Sequence, residues 1–237
     1  TAALWGSSPT AQAKDEGVDD QTFTIGMTNE VDSFNPFNGI EAESYEAWAL
    51  MYDYMISYSD KDMSPQPSLA TSWDTSDDGL TWTFHIRPGM TWSDGQPATA
   101  EDARWTYQLI LDAAETETGY LGQGYLDGYV TNAGVTSVEA PDEETLVITT
   151  EFPNTLLLQS YVPILPKHIW SQYTLEQIGD VSVNGYFKNE PPIVGTGPYQ
   201  VVEWQPGEFI RFARNENYWG EQGAADEVII QHFASPD

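Results

Sequence analysis

The side chains able to do chemistry are plentiful but scattered. The chain holds 37 Asp and Glu, three His and no Cys, which excludes thiol catalysis, disulfides and Cys-zinc sites together. Asp74, Ser76, Asp78 and Gly79 copy the opening of a calcium loop, but His85 stands at the twelfth position, where a bidentate carboxylate is needed. GTGPYQ, Gly195 to Gln200, carries two glycines of a dinucleotide loop. Its third position is Gln200, and a strand follows rather than a helix able to receive a pyrophosphate. His85, His168 and His232 lie far apart, outside any HExxH frame. Carboxylate pairs are too numerous for one to be singled out as a hydrolytic dyad. No catalytic constellation, metal site or cofactor is expected. What the composition does offer is recognition: with 9 Trp, 13 Tyr and 9 Phe, most rings must fill the core and a minority can line a cleft.

The same acidity bounds the partners. Only 8 Lys and Arg oppose the carboxylates, giving a formal charge of -29, a surface that repels nucleic-acid phosphates and anionic lipids. Solubility is its first consequence; steering of cationic ligands and metal binding are the sharper alternatives. No apolar run nears the roughly 18 residues of a membrane span, and 237 residues suffice for a sizeable core. The opening TAALWGSSPTAQAKDEGVDDQ is small, polar and acidic, a flexible lead-in with neither the basic patch nor the apolar stretch of a signal peptide.

The elements that must position these groups start at Thr22. TFTIGM alternates as a strand, then TNEVDSFNPFNG allows no regular element. Tyr45, Trp48, Ala49, Tyr52 and Met55 recur at helical spacing. TSWDTSDDGLTWTFHI reads as a hairpin turning at Ser76 to Gly79, closed by Pro88-Gly89. Met90 to Trp92 needs a partner, and Asp94-Gly95 supplies a turn. Thr99 then caps a helix with Glu101 and Asp102 in its first turn, burying Ala103, Tyr107, Ile110 and Ala114. A second hairpin spans GVTSVEAPDEETLVITTEF. A helix is expected from Asn154 to Ser160, and shorter turns at ILPKHIW and TLEQIG. Two strands follow, paired across Pro206-Gly207, and ADEVIIQHF is a last strand.

Three stretches in this order carry a resemblance: TFTIGMTNEVDSFNPFNGIEAES, LATSWDTSDDGLTWTFHIRPGMTWSDGQPATAEDARWTY and PPIVGTGPYQVVEWQPGEFIRFARNENYWG. Together they resemble the extracytoplasmic solute-binding proteins of ABC importers, specifically the peptide/nickel-binding family 5. The resemblance covers nearly everything from Thr22 onward. It implies an α/β, periplasmic-binding-protein-like (type II-like, two-lobed) fold that closes on ligand by hinge motion. The first lobe would be discontinuous: a lead-in over 1–21, an opening segment over 22–40, an inserted smaller domain over 41–188 and a return over 189–237. A second lobe would follow ADEVIIQHF and is not in this sequence, so the expectation is a first lobe plus inserted domain, with half the cleft absent.

The resemblance also implies site residues. Asn29, Glu30, Val31, Asp32 and Phe34 lie in the loop that resembles the family's cleft edge. Glu41 and Ala42 fall where some peptide-binding members meet the ligand main chain, and a backbone there could pair with an extended peptide as an added strand. Tyr120 and Tyr125 stand where the inserted domain supplies a cleft aromatic, and Thr196 and Tyr199 in the return loop. Val162 to Lys167 has no arginine to hold an anionic chelator, which disfavours a metal-chelate cargo. The implied function is capture of oligopeptides outside the cytoplasmic membrane for ABC permease subunits, by a monomer tethered through its lead-in, although the lipid-bearing cysteine usual in such tethers is missing. An oligosaccharide cargo is the alternative within the family. A secreted carbohydrate-active enzyme or adhesive domain is the alternative outside it.

Overall fold

A computed structural model describes residues 22–116 and 126–233. Two four-stranded sheets organise them. The first has the order β1-β10-β9-β8, from Thr22–Met27 (β1), Tyr199–Gln205 (β8), Phe209–Arg214 (β9) and Glu227–His232 (β10). β1 runs parallel to β10, with Thr22 opposite Glu227 and Met27 opposite His232, so the earliest and latest strands share one sheet. The second sheet, β4-β5-β7-β6, is antiparallel throughout and built from Ala70–Thr75 (β4), Thr81–Ile86 (β5), Val135–Asp142 (β6) and Thr145–Thr150 (β7). A two-stranded ribbon, Ile56–Tyr58 (β2) with Pro65–Pro67 (β3), lies between them in sequence.

Alternation produced these strands as expected. Trp82, Phe84 and Ile86 are buried on one face of β5, and Leu146 and Ile148 pair alongside on β7. Met90 to Trp92 finds its partner across the Ser93–Gly95 turn: Trp92 N–H donates to Gln96 O and Ala98 N–H to Met90 O. The helix Ala100–Ala114 (α2) opens with a capping box, Thr99 accepting from its first turn while the Asp102 carboxylate accepts from Thr99 N–H at 2.9 Å. Its buried stripe runs through Ala103, Thr106, Tyr107, Ile110 and Ala113; Ala114, expected inside, is exposed. A 3.6-residue turn carries the stripe from Ile110 to position 113, one residue earlier than expected. The expected helix over 154–160 is a single 3-10 turn, Leu156–Gln159, confined between Pro153 and Pro163 and burying only Leu157. Short helices Leu126–Val130 (α3), Lys167–Trp170 (α4) and Leu175–Gly179 (α5) complete the order. Among the described residues no helix is long and apolar enough to cross a membrane.

The first helix, Ala42–Met51 (α1), stops before Tyr52 and Met55, which continue its spacing but not its backbone. The cause is the GTG loop. A Cβ on Gly195 would overlap the Met51 carbonyl oxygen, and one on Gly197 would lie 2.6 Å from the Met51 carbonyl carbon, so only glycine lets the loop reach the helix end. Gly197 N–H then donates to Met51 O at 2.9 Å and Asp53 N–H to Thr196 Oγ1 at 3.2 Å. From the other side Ser93 N–H donates to Gly195 O at 2.9 Å, and Asn217 donates to Ser93 O. The WSDG turn is therefore a docking point for the return loop.

Beside this junction lies a buried carboxylate. Asp53 is 6% exposed; Trp219 Nε1 donates to its Oδ2 at 2.8 Å and Ser68 Oγ to its Oδ1 at 3.3 Å. Arg87 lies 3.7 Å over the Trp219 ring. Burial outweighs these donors and the Arg87 charge, and pushes the carboxyl up to about 6. An acid raised in the folded state stabilises the fold fully below its unfolded value, 3.8, and that contribution is lost as pH rises through about 6. Stability of the wild type minus that of Asp53→Asn should therefore fall by about 2–3 kcal/mol between about pH 4 and pH 7 in urea titrations. A pH-independent difference would contradict it. By the same measurement Gly195→Ala should cost at least about 3 kcal/mol, since backbone on both sides must move.

Candidate functional site

The loop from Thr28 to Glu41 leaves β1 and delivers the chain to α1, with no repeating backbone hydrogen bonds of its own. Side chains hold it instead. Asp32 Oδ2 accepts from Ile40 N–H at 2.9 Å and Oδ1 from Glu41 N–H at 3.4 Å, and Ser44 Oγ donates to Oδ1. Glu41, the residue before α1, makes no side-chain cap; Asp32 and Ser44 instead tie the loop to the start of the helix, Ser44 Oγ also accepting from Asp32 N–H at 3.1 Å. Deeper down, Asn35 is fully buried. Its amide donates to Ile178 O at 2.7 Å and Phe187 O at 3.0 Å, while its oxygen accepts from Phe37 N–H. Trp48 Nε1 donates to Ser33 O, its ring filling the space that a side chain on Gly39 would need.

This geometry divides the expected site residues. Asn29, Glu30, Asp32, Glu41 and Ala42 are exposed. Asn29 Nδ2 donates to Glu43 Oε1 at 2.9 Å, whereas Glu30 turns toward the β8–β9 hairpin and accepts from Gly207 N–H. Val31 and Phe34 are buried, the Phe34 ring edge-on to Trp204 at 4.9 Å, so both pack the loop rather than face a ligand. Thr196 is buried under Asp53, and Tyr199 is buried with its hydroxyl donating to Ala225 O at 2.9 Å; these too are packing residues. The strand-addition reading narrows as well. The amides of Ile40 and Glu41 are occupied by Asp32, Glu41 O accepts from Ser44 N–H, and Ala42 is already helical, so this stretch has no free ladder to offer. Tyr120 and Tyr125 lie outside the described residues.

A cluster of other tyrosines adjoins the loop and was not singled out in the sequence. Tyr45, in the first turn of α1, packs edge-on to Trp48 at 4.8 Å. Burial raises the pKa of its phenol, and the negative charges of Asp32 and Glu41 add to the effect. Tyr129 of α3 is raised by burial and then by Tyr161 and Tyr45. The ring of Tyr161 is stacked on Tyr58 at 4.9 Å, and meets Tyr54 edge-on at 5.8 Å and Tyr129 at 6.0 Å. Beside them an open cavity of about 730 Å³ is lined by Tyr58, Tyr129, Tyr161, Met63, Leu156 and Leu158. The available signal was Tyr54 just before β2 and Tyr58 at its end, but their partner Tyr161 lies about a hundred residues away. Among the described residues no group of acidic, His or Cys side chains could hold a metal ion. The arrangement can orient and desolvate a ligand through main-chain braces, exposed carboxylates and ring faces. Asp32→Ala should lower stability by about 1–2 kcal/mol and speed amide exchange at Ile40 and Glu41; unchanged exchange at those amides would remove Asp32 from its bracing role.

With that geometry in view, comparison with known proteins is informative. The family model described as bacterial extracellular solute-binding proteins, family 5 Middle, matches residues 64–237. The dipeptide-binding protein DppE of Bacillus subtilis is 29% identical in an alignment 235 positions long that covers 92% of this chain and 41% of that protein. Among solved structures, DppA of Helicobacter pylori in complex with peptide STSA superposes with a TM-score of 0.75 at 27% identity, over 90% of this chain and 43% of that one. NikZ of Campylobacter jejuni in complex with Ni(L-His) gives 0.74 at 25% identity, over 91% and 40%. The chain thus spans about two fifths of the length of these relatives.

Proposed function

Because the chain belongs to the bacterial extracellular solute-binding proteins of family 5, we propose that it captures oligopeptides outside the cytoplasmic membrane and presents them to the permease subunits of an ABC importer. The observation that carries this reading is the braced loop after β1. It holds Asp32, Glu41 and Ala42 at the surface of a rigid sheet-and-helix junction, beside ring faces, with the order recognition requires and none of the paired groups that a reaction requires. Named relatives bind a dipeptide and the peptide STSA, which favours peptide over sugar. A relative holding Ni(L-His) keeps chelated metal in view, but residues 162–167 supply no arginine for an anionic chelator.

The organisation into an opening segment (22–40), an inserted unit (41–188) and a return (189–237) belongs to the same proposal. It is supported by β1 sharing a sheet with β8–β10 while β4–β7 form their own. Capture needs no covalent chemistry: affinity comes from removing ligand from water and from polar contacts that fix its orientation.

The test is a thermal-shift and calorimetric screen of the full-length protein against short peptides, oligosaccharides and Ni-histidine, with a parallel assay for glycan turnover. Peptides at about a hundredfold excess over Kd should stabilise the protein by about 2.7 kcal/mol, with no turnover. A shift with sugars or Ni-histidine alone would overturn the peptide reading, and glycan turnover would overturn the binding-protein reading altogether.

A further inference from the structure

We propose that the tyrosine-lined cavity between β2, α3 and the 3-10 turn is a subsite for one flat, uncharged aromatic side chain of the ligand. The proposal rests on the peptide-capture reading for the identity of that ligand, but the cavity itself is independent of it. Its volume, about 730 Å³, lies within the range of small-molecule sites and exceeds what one aromatic side chain needs.

The lining decides the chemistry. Among the described residues around the cavity none is charged; its polar contribution comes from Asn132, Gln159, Thr155 and the phenols. Three rings present three orientations: Tyr161 and Tyr58 stack with planes 29° apart, whereas Tyr129 meets Tyr161 at 60°. A guest ring entering such a cluster gains an offset-stacked partner and an edge-on partner together, which an aliphatic chain cannot exploit. The Tyr58 hydroxyl is already engaged, donating to Leu158 O at 3.0 Å. At the mouth, Met63 is 62% exposed and Leu156 38% exposed, large apolar groups left in water that a bound ring would cover. Met63 has φ of 58°, in the left-handed region that residues other than glycine seldom adopt.

Charge excludes the competitors on one side. Burial raises the phenol pKa values of Tyr58 and Tyr129, and the neighbouring phenols raise them further, so the cavity resists negative charge. An anionic side chain would lose its hydration here and meet no cation among the described lining residues. A cationic side chain could lie over a phenol face, and it is the rival that the experiment must separate.

The decisive experiment is ligand-observed NMR titration of the full-length protein with N-acetyl-tryptophanamide, N-acetyl-argininamide and N-acetyl-glutamate amide, repeated on Leu156→Trp and Tyr129→Ala. Leu156→Trp fills the mouth from an already exposed position and should leave the fold intact even if Tyr129→Ala does not. Saturable binding of the tryptophan probe, weaker by at least about tenfold in Leu156→Trp and tighter than either charged probe by a similar factor, is the expected result. No saturable binding, binding indifferent to Leu156→Trp, or preference for the arginine probe would each overturn the subsite. The tripeptides Ala-Trp-Ala and Ala-Ala-Ala separate this proposal from the broader one. If the tryptophan probe binds as expected and neither peptide does, the subsite stands while peptide capture falls.

Discussion

Backbone-on-backbone contact between the GTG loop and the end of α1 is the constraint on which the other features depend. Gly195 and Gly197 come so close to Leu50 and Met51 that a single added methyl would collide with main chain. Because both surfaces are backbone, no rotamer change can relieve such a collision, and the approach has only one solution. It terminates α1, orients Tyr52 and Asp53 inward, and leaves Thr196 where its hydroxyl meets Asp53 N–H. The helix axis is thereby set, and with it the Asp32–Ser44 brace and Tyr45 at the opposite end. The candidate site owes its geometry to a contact about ten residues distant.

The junction also explains why a polar cluster is tolerated inside. Asp53 gathers Trp219 and Thr196 from the return segment and Ser68 from just after the ribbon, with Arg87 stacked on the same indole. Burying a carboxylate is costly, and its donors offset only part of that cost. What the arrangement contributes is specificity of assembly, because chain stretches more than a hundred residues apart must meet around one acid. Asn189, buried with its amide donating to Phe34 O and Tyr52 Oη, repeats the device between the return segment and the loop after β1.

Local chemistry was legible in the sequence wherever neighbours in sequence are neighbours in space. The β4–β5 hairpin follows from Trp82, Phe84 and Ile86 alternating after an Asp-Asp-Gly turn, and α2 begins where Thr99 and Asp102 form their box. The family was legible for a similar reason: its marks are turns and short strands with fixed internal spacing. What failed was inference across the fold. Val31 and Phe34 sit in a loop of polar character, so nothing local reveals that Trp204 covers Phe34. Tyr45, Tyr129 and Tyr161 belong to three elements, and periodicity reports which face a residue occupies without reporting what lies opposite. Three leucines at 156–158 suggest a buried helical face, but only Leu157 finds the core, and the segment closes as a single 3-10 turn.

Acidity marks the loop surface as it marks the whole chain. Asp32 and Glu41 serve the loop and face solvent, and the formal charge of -29 extends that character over the molecule. The claim beneath this account is that the glycine clamp is formed and holds α1, the WSDG turn and the return loop as one body. Native-state hydrogen exchange of the full-length protein at the Gly197 and Ser93 amides tests it most directly, since these donate to Met51 O and Gly195 O. Both should exchange with the slowest, globally protected class of amides. Exchange at the rate of exposed loops, with the β5 and β7 amides still protected, would contradict the clamp and the site geometry built on it.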